Sequence, residues 1–175
     1  MTNRVKIAID AMGGDNAPKK IIDGINISLQ SNKENFFFLY GKQDLLEKEL
    51  AKNKLVQQHC KIINTKDVVV DEESPLTAAK KGKESSMWKA IESQKENISD
   101  ISLSAGNTGA LLVISRLILN SINGIDKPAL AGLWPNNYKM SVVLDIKFAV
   151  PSAVFKAILP VNPSVIITST FPSII

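Results

Sequence analysis

The chain has 175 residues, 45% of them hydrophobic and 22% charged, which suits one soluble globular domain able to bury a core of its own. Its 21 basic and 17 acidic side chains leave a formal net charge of +4, too mild to point to nucleic acid, and no Lys/Arg-rich block, aromatic-studded basic face or zinc spacing accompanies it. A single cysteine, Cys60, and a single histidine, His59, exclude an internal disulfide framework and fit a reducing compartment. As neighbours on a strand the two would face opposite ways, a poor nucleophile–base pair, and together they cannot supply a structural zinc site.

The N-terminal "MTNRVKIAID" lacks the apolar core of a signal peptide. The most apolar stretch, "ALLVISRLIL" from Ala110, is shorter than the roughly 18 residues of a spanning helix and carries Arg116. The expectation is a cytosolic protein whose membrane contact, if any, is peripheral.

Val5 to Ile9 reads as a strand buried on both faces. Asp15 or Asn16 is expected to cap the helix that follows, with Pro18 in its first turn. Ile21, Ile22, Ile25 and Leu29 recur at helical spacing. "FFFLY", Phe36 to Tyr40, is a second strand ended by Gly41. Leu45, Leu46 and Leu50 mark a short helix, and "CKIIN", Cys60 to Asn64, a third strand. "VVVDEESP", Val68 to Pro75, reads as a loop or edge segment, followed by a polar helical stretch to about Asn97. Asp100 to Leu119 repeats the opening pattern of strand, glycine-bearing turn and apolar helix. "PALAGLWP", Pro128 to Pro135, and "SVVLDI", Ser141 to Ile146, are further strands. Strands alternating with helices at this spacing predict βαβ units and a mostly parallel sheet in a three-layer α/β/α sandwich.

Two turns carry unusual chemistry. In an open α/β sheet ligands bind beyond the carboxyl ends of the strands, where both turns belong. The first holds Asp10, Gly13, Gly14 and Asp15; glycines let backbone N–H groups approach a ligand, and a helix start adds more of them. The second, "SAGNTGA", holds Ser104, Gly106, Asn107, Thr108 and Gly109, neutral donors suited to a phosphate or to the oxyanion of acyl transfer. Turn geometry and helix capping explain the same residues without a ligand. Neither turn matches the P-loop, the dinucleotide fingerprint or the nucleophile elbow. Asp10 and Asp15 could hold a lysine, a metal or a substrate hydroxyl.

"KIAIDAMGGDNAPKKIIDGI", "VVVDEESPLTAAKKGKESSMWKAI", "SLSAGNTGALL" and "GIDKPALAGLWP" resemble, in this order, segments of the PlsX family of phosphate acyltransferases, over Lys6 to about Asp145. The resemblance implies transfer of a fatty acyl group from acyl carrier protein to inorganic phosphate, giving acyl phosphate for phospholipid synthesis. It implies a fold related to the phosphate acetyltransferases and the isocitrate and isopropylmalate dehydrogenases, a homodimer loosely associated with membrane, and neither metal nor nucleotide cofactor. On this reading Gly13, Gly14, Gly106, Asn107, Thr108 and Gly109 hold phosphate and stabilise the tetrahedral oxyanion, and phosphate itself is the nucleophile. Asn107, Thr108 and Asp10 are the expected catalytic residues, with Asp10 and Asp15 orienting the loops or a basic partner. Ser104, Ser85 and Ser86 would add hydroxyl donors, the last two having helix surface as their other reading. Lys80, Lys81 and Lys83 either meet the acidic carrier protein or form a solvated face.

The match breaks after Asp145. "FAVPSAVFKAIL" resembles a later family helix and "NPSV" a strand after it, while "IITSTFPSII" has no family counterpart. The expected organisation is an N-terminal α/β part over 1–146 and a divergent tail over 147–175, with the C-terminal half of the family fold missing. Two further readings follow: an inactive fragment of such an enzyme, and a phosphate- or nucleotide-binding module without catalysis.

Overall fold

The computed structural model of the chain describes residues 4–121, 129–135, 140–144, 154–158 and 165–170. β1 (Lys6–Asp10) ends in three buried residues. The chain then turns through Gly14 and Asn16, at φ of 85° and 60°. Helix α1 (Lys19–Ser31) follows, with Ile21, Ile22, Ile25 and Leu29 buried as their spacing predicts. Neither Asp15 nor Asn16 caps it through a side chain, because Pro18 occupies the capping position. The Lys20 and Ile22 amides bond instead to the backbone oxygens of Asn16 and Pro18.

β2 (Phe36–Gly41), α2 (Gln43–Leu50) and β3 (Cys60–Asn64) lie where the apolar runs place them. Between the last two is an unexpected short helix, α3 (Lys54–Gln58), capped by the Asn53 side chain. His59 ends that helix rather than sharing a strand with Cys60, and its Nδ1 lies 2.9 Å from the Leu55 carbonyl oxygen. The polar stretch from Pro75 is two helices, α4 (Pro75–Lys81) and α5 (Ser86–Lys95), separated by a 3-10 turn at Gly82–Glu84. The break comes where Gly82 closes α4 and the extended Ser85 opens α5 with its own hydroxyl as cap. β4 (Ile101–Ser104) and α6 (Thr108–Leu119) complete the expected second strand–turn–helix.

Four parallel strands run in the order β3-β2-β1-β4. In register, Asp10 faces Tyr40 on one side and Ser104 on the other. One face packs Ile9, Phe37 and Leu39 against α1, α2 and α3. The other carries α5 over Ala8 and Tyr40, with α4 and α6 packed beside it around Met87, Ile91, Leu111 and Ile114. These are the three layers of an α/β/α sandwich, each sheet face covered by apolar helix faces.

Beyond β4 the sheet becomes mixed. β5 (Ala129–Pro135) and β6 (Met140–Leu144) are strands as read from the sequence. β7 (Val154–Ile158) is a strand where the family resemblance suggested a helix, and β8 (Val165–Thr170) follows it. β7 pairs antiparallel with β4, Ser104 opposite Lys156. An unpaired edge of β4 would expose a row of backbone donors and acceptors, and the β-prone "VF" of β7 satisfies it. The order continues β7-β8-β5-β6. The junction near residue 146 and much of 147–175 lie outside the described residues.

Leu39 is fully buried in the core under α1, whereas Ile27 on α1 is 65% exposed. Leu39→Ala is expected to destabilise the chain by about 2–5 kcal/mol, and Ile27→Ala to stay within about 0.5 kcal/mol of wild type, as read from urea midpoints. Equal shifts would mean that the packing around β2 is wrong.

Candidate functional site

β1 runs on through α1 to β2 on one side, while the connection after β4 leads to strands on the opposite side. Neighbouring strands whose onward connections diverge open a crevice beyond their carboxyl ends. Asp10 and Ser104, partners in register, sit at the carboxyl ends of these two strands.

There the two glycine-bearing turns meet. Ser104 Oγ donates to Asp10 Oδ2 at 2.7 Å and accepts from the Gly106 amide at 3.1 Å. The Met12 amide donates to Asp10 Oδ1 at 3.3 Å. Gly13 closes over this pair: a Cβ there would lie 2.6 Å from Asp10 Oδ2, 2.9 Å from the Gly106 nitrogen and 3.0 Å from Ser104 Oγ. A Cβ on Gly14 would strike the Ala105 carbonyl oxygen at 2.7 Å, and its φ of 85° is strained for a side chain. These glycines let two backbone turns touch, with the Gly106 and Met12 amides turned inward to Ser104 Oγ and Asp10 Oδ1.

Asp10 is 1% exposed. Burial pushes its carboxyl above the ordinary value, because a charge there has lost its water; the Ser86 and Ser104 hydroxyls and the Met12 and Gly13 backbone act the other way without cancelling it. Ser86 Oγ lies near the carboxyl and has no hydrogen-bond partner of good geometry among the described residues. Ser85 and Ser86 are both fully buried, so the helix-surface reading is corrected. Ser85 caps α5, accepting from the Trp88 amide at 3.2 Å, and Ser86 lies beneath the first turn. Sequence context hid this, since the charged run "KKGKE" stands directly before the two serines.

Asn107 caps α6, its Oδ1 accepting from the Ala110 amide at 3.0 Å. Its Nδ2 donates to the carbonyl oxygens of Asp71 and Glu73 at 3.0 and 2.9 Å. Thr108 is half-buried at the helix start. Gly109 lies under Pro75, where a Cβ would come within 2.6 Å of Cγ, so its missing side chain makes room for the start of α4. Asp15 is exposed on the first turn, apart from the buried cluster. Lys80 and Lys83 are exposed on the α4 side. Cys60 stands away from the site on β3, its thiol pushed up to about 12 by burial, which keeps it unreactive.

Residues not singled out from sequence also shape the site. Met12 lies over Gly41, where a Cβ would be 2.8 Å from its Cγ, and the Met87 methyl would be 3.5 Å from a Cβ on Gly106. The one signal for the first was the strand-ending Gly41; isolated methionines gave none. Among the described residues no group of three or more His, Cys, Asp or Glu side chains could hold a metal, and no helix is long and apolar enough to cross a membrane.

Comparison with known proteins agrees with the family resemblance. The family model described as "Fatty acid synthesis protein" matches residues 5–155. A phosphate acyltransferase of Pelagibacter ubique is 56% identical over 146 residues, covering 83% of this chain and 43% of that relative. Phosphate acyltransferases of Rhodopseudomonas palustris (strain TIE-1) and Bradyrhizobium diazoefficiens are each 42% identical over 147 residues, covering 83% of this chain and 42% of the relative. The chain thus spans about two fifths of the length of the curated relatives it matches. The match runs through β1, β4 and the turn that follows each, and on it the chain belongs to the fatty acid synthesis protein family, the PlsX phosphate acyltransferases.

Proposed function

We propose that the chain carries the phosphate-binding part of an enzyme that transfers an acyl group from acyl carrier protein to inorganic phosphate. The observation that supports this best is the contact of two glycine-bearing turns at the carboxyl ends of β1 and β4, above the Ser104–Asp10 hydrogen bond. Backbone N–H groups fixed in advance suit both a phosphate and the oxyanion that forms when a thioester carbonyl is attacked. Gly13, Gly14, Gly106 and Thr108 form the mouth. Asp10 and Ser104, buried beneath it, hold the turns in place.

Chemically, a phosphate oxygen forms a bond to the acyl carbon and the acyl–sulfur bond breaks. The proton of hydrogen phosphate ends on the departing thiol. No protein nucleophile is required, which agrees with the inert Cys60. A homodimer and peripheral contact with a membrane complete the reading by family analogy. A second reading, phosphate binding without turnover, draws on the fraction of the relatives' length that the chain covers.

The test supplies the purified chain with acyl-(acyl carrier protein) and phosphate and traps acyl phosphate with hydroxylamine, with a full-length relative as control. Phosphate-dependent product supports the enzyme reading. Phosphate binding without product supports the second, and neither removes both.

Gly13→Ala is expected to lower phosphate-dependent turnover about a hundredfold, because its Cβ must push the two turns apart. Unchanged turnover would take the Gly13–Gly106 contact out of the site.

The Asp10 carboxyl also sets a pH dependence. Its folded value is raised, so the folded chain holds more protons than the unfolded chain between the ordinary carboxylate value and the raised one. The stability linked to Asp10 is therefore full at low pH and is lost as pH rises through the raised value. In urea titrations at stepped pH, wild type should lose stability relative to Asp10→Asn as the pH climbs. A difference independent of pH would contradict the buried, desolvated carboxyl.

A further inference from the structure

Asn107 stands in the middle of the second turn, where an amide side chain could face a ligand. Its hydrogen bonds lead elsewhere. An asparagine amide has two N–H donors and one carbonyl acceptor. Nδ2 reaches the Asp71 and Glu73 carbonyl oxygens, and Oδ1 takes the Ala110 amide. Both donors are engaged with the segment that leads into α4.

That segment is a strap tied at several points. The Glu73 amide bonds to the Val70 carbonyl oxygen at 3.2 Å. Ser74 caps α4 through the Thr77 amide at 3.3 Å. Pro75 sits directly over Gly109 in the first turn of α6. Asp71 and Glu72 are exposed along the strap, with Glu73 half-buried. One side chain thereby joins the start of α6, the strap and the turn that meets Gly13.

We infer that Asn107 is a positioning residue that seats the strap Asp71–Pro75 on the start of α6, and that the seated strap, not the Asn107 amide, forms this wall of the site. The effect on substrate rests on the reading of the mouth as a phosphate site; the seating of the strap does not. A wall already in place costs nothing to order when the ligand arrives. A released wall must be ordered on binding, so its loss weakens phosphate binding more than it slows the chemical step.

Asn107→Asp separates the roles. It keeps an oxygen to cap α6 and adds charge favourable at a helix N-terminus, but it has no N–H for the two carbonyls and sets a carboxylate against them. Asn107→Ser, with a hydroxyl cap, serves if the first variant folds poorly. Hydrogen exchange at residues 70–74 is expected to be at least about tenfold faster in the variant, with α6 still protected. In the acyl phosphate assay the rise in phosphate KM should exceed the fall in kcat. Unchanged strap exchange overturns the inference, as does a fall in kcat at constant KM, which would make the amide a donor to the oxyanion. Absence of product from wild type as well would count against the proposed function, and strap exchange would then decide the inference by itself.

Discussion

The site depends on two backbone turns approaching more closely than side chains permit. Gly13 faces the Gly106 amide and the Asp10 carboxyl at distances a Cβ could not tolerate, and Gly14 does the same against Ala105. The sheet makes the approach possible by placing β1 and β4 side by side, with Asp10 and Ser104 in register. The Ser104–Asp10 hydrogen bond then fixes the separation of the turns, and the Gly106 amide bonded to the same hydroxyl fixes their orientation. Sheet register, a buried polar pair and missing β-carbons act together to hold the two turns in contact.

On the proposed phosphate reading, a charged carboxyl beneath the two turns would repel the ligand. Burial changes the balance. A desolvated carboxyl holds its proton to higher pH than an exposed one, so the negative charge under the turns is disfavoured. The donors around it pull the other way, and the Ser86 hydroxyl has no competing partner among the described residues. Asp10 contributes hydrogen-bond geometry, accepting from the Ser104 hydroxyl and the Met12 amide.

The layered architecture was legible in sequence because burial sets its pattern. The runs Phe36–Tyr40 and Cys60–Asn64, and the helical spacing of Ile21, Ile22, Ile25 and Leu29, report which faces are dry. Both turns were legible because glycine after a strand is a local signal. Capping was not: Asp15 and Asn16 have the right chemistry before α1, but a left-handed Asn16 and Pro18 close the turn with backbone alone. Nor was the burial of Ser86, which depends on α5 packing its first turn against β1 and leaves no trace in a polar stretch. The strand at Val154–Ile158 escaped for a related reason, since strand character there depends on an edge of β4 far away in sequence.

Asn107 shows where residue chemistry and residue role part. An asparagine in a glycine-bearing turn has the same appearance whether it caps a helix, ties a loop or donates to a ligand, because all three use one amide. Only partners distinguish them, and a side chain cannot give the same proton twice. Both N–H groups lie on the carbonyls of the strap, so on the phosphate reading proposed above a donor to the ligand in this turn comes from the backbone or from the Thr108 hydroxyl. That is also the physically better source. A backbone amide at a helix start is held by the helix it begins and needs no rotamer to be frozen. The polar side chains of this turn therefore serve best by making the backbone rigid, and the glycines by letting it come close.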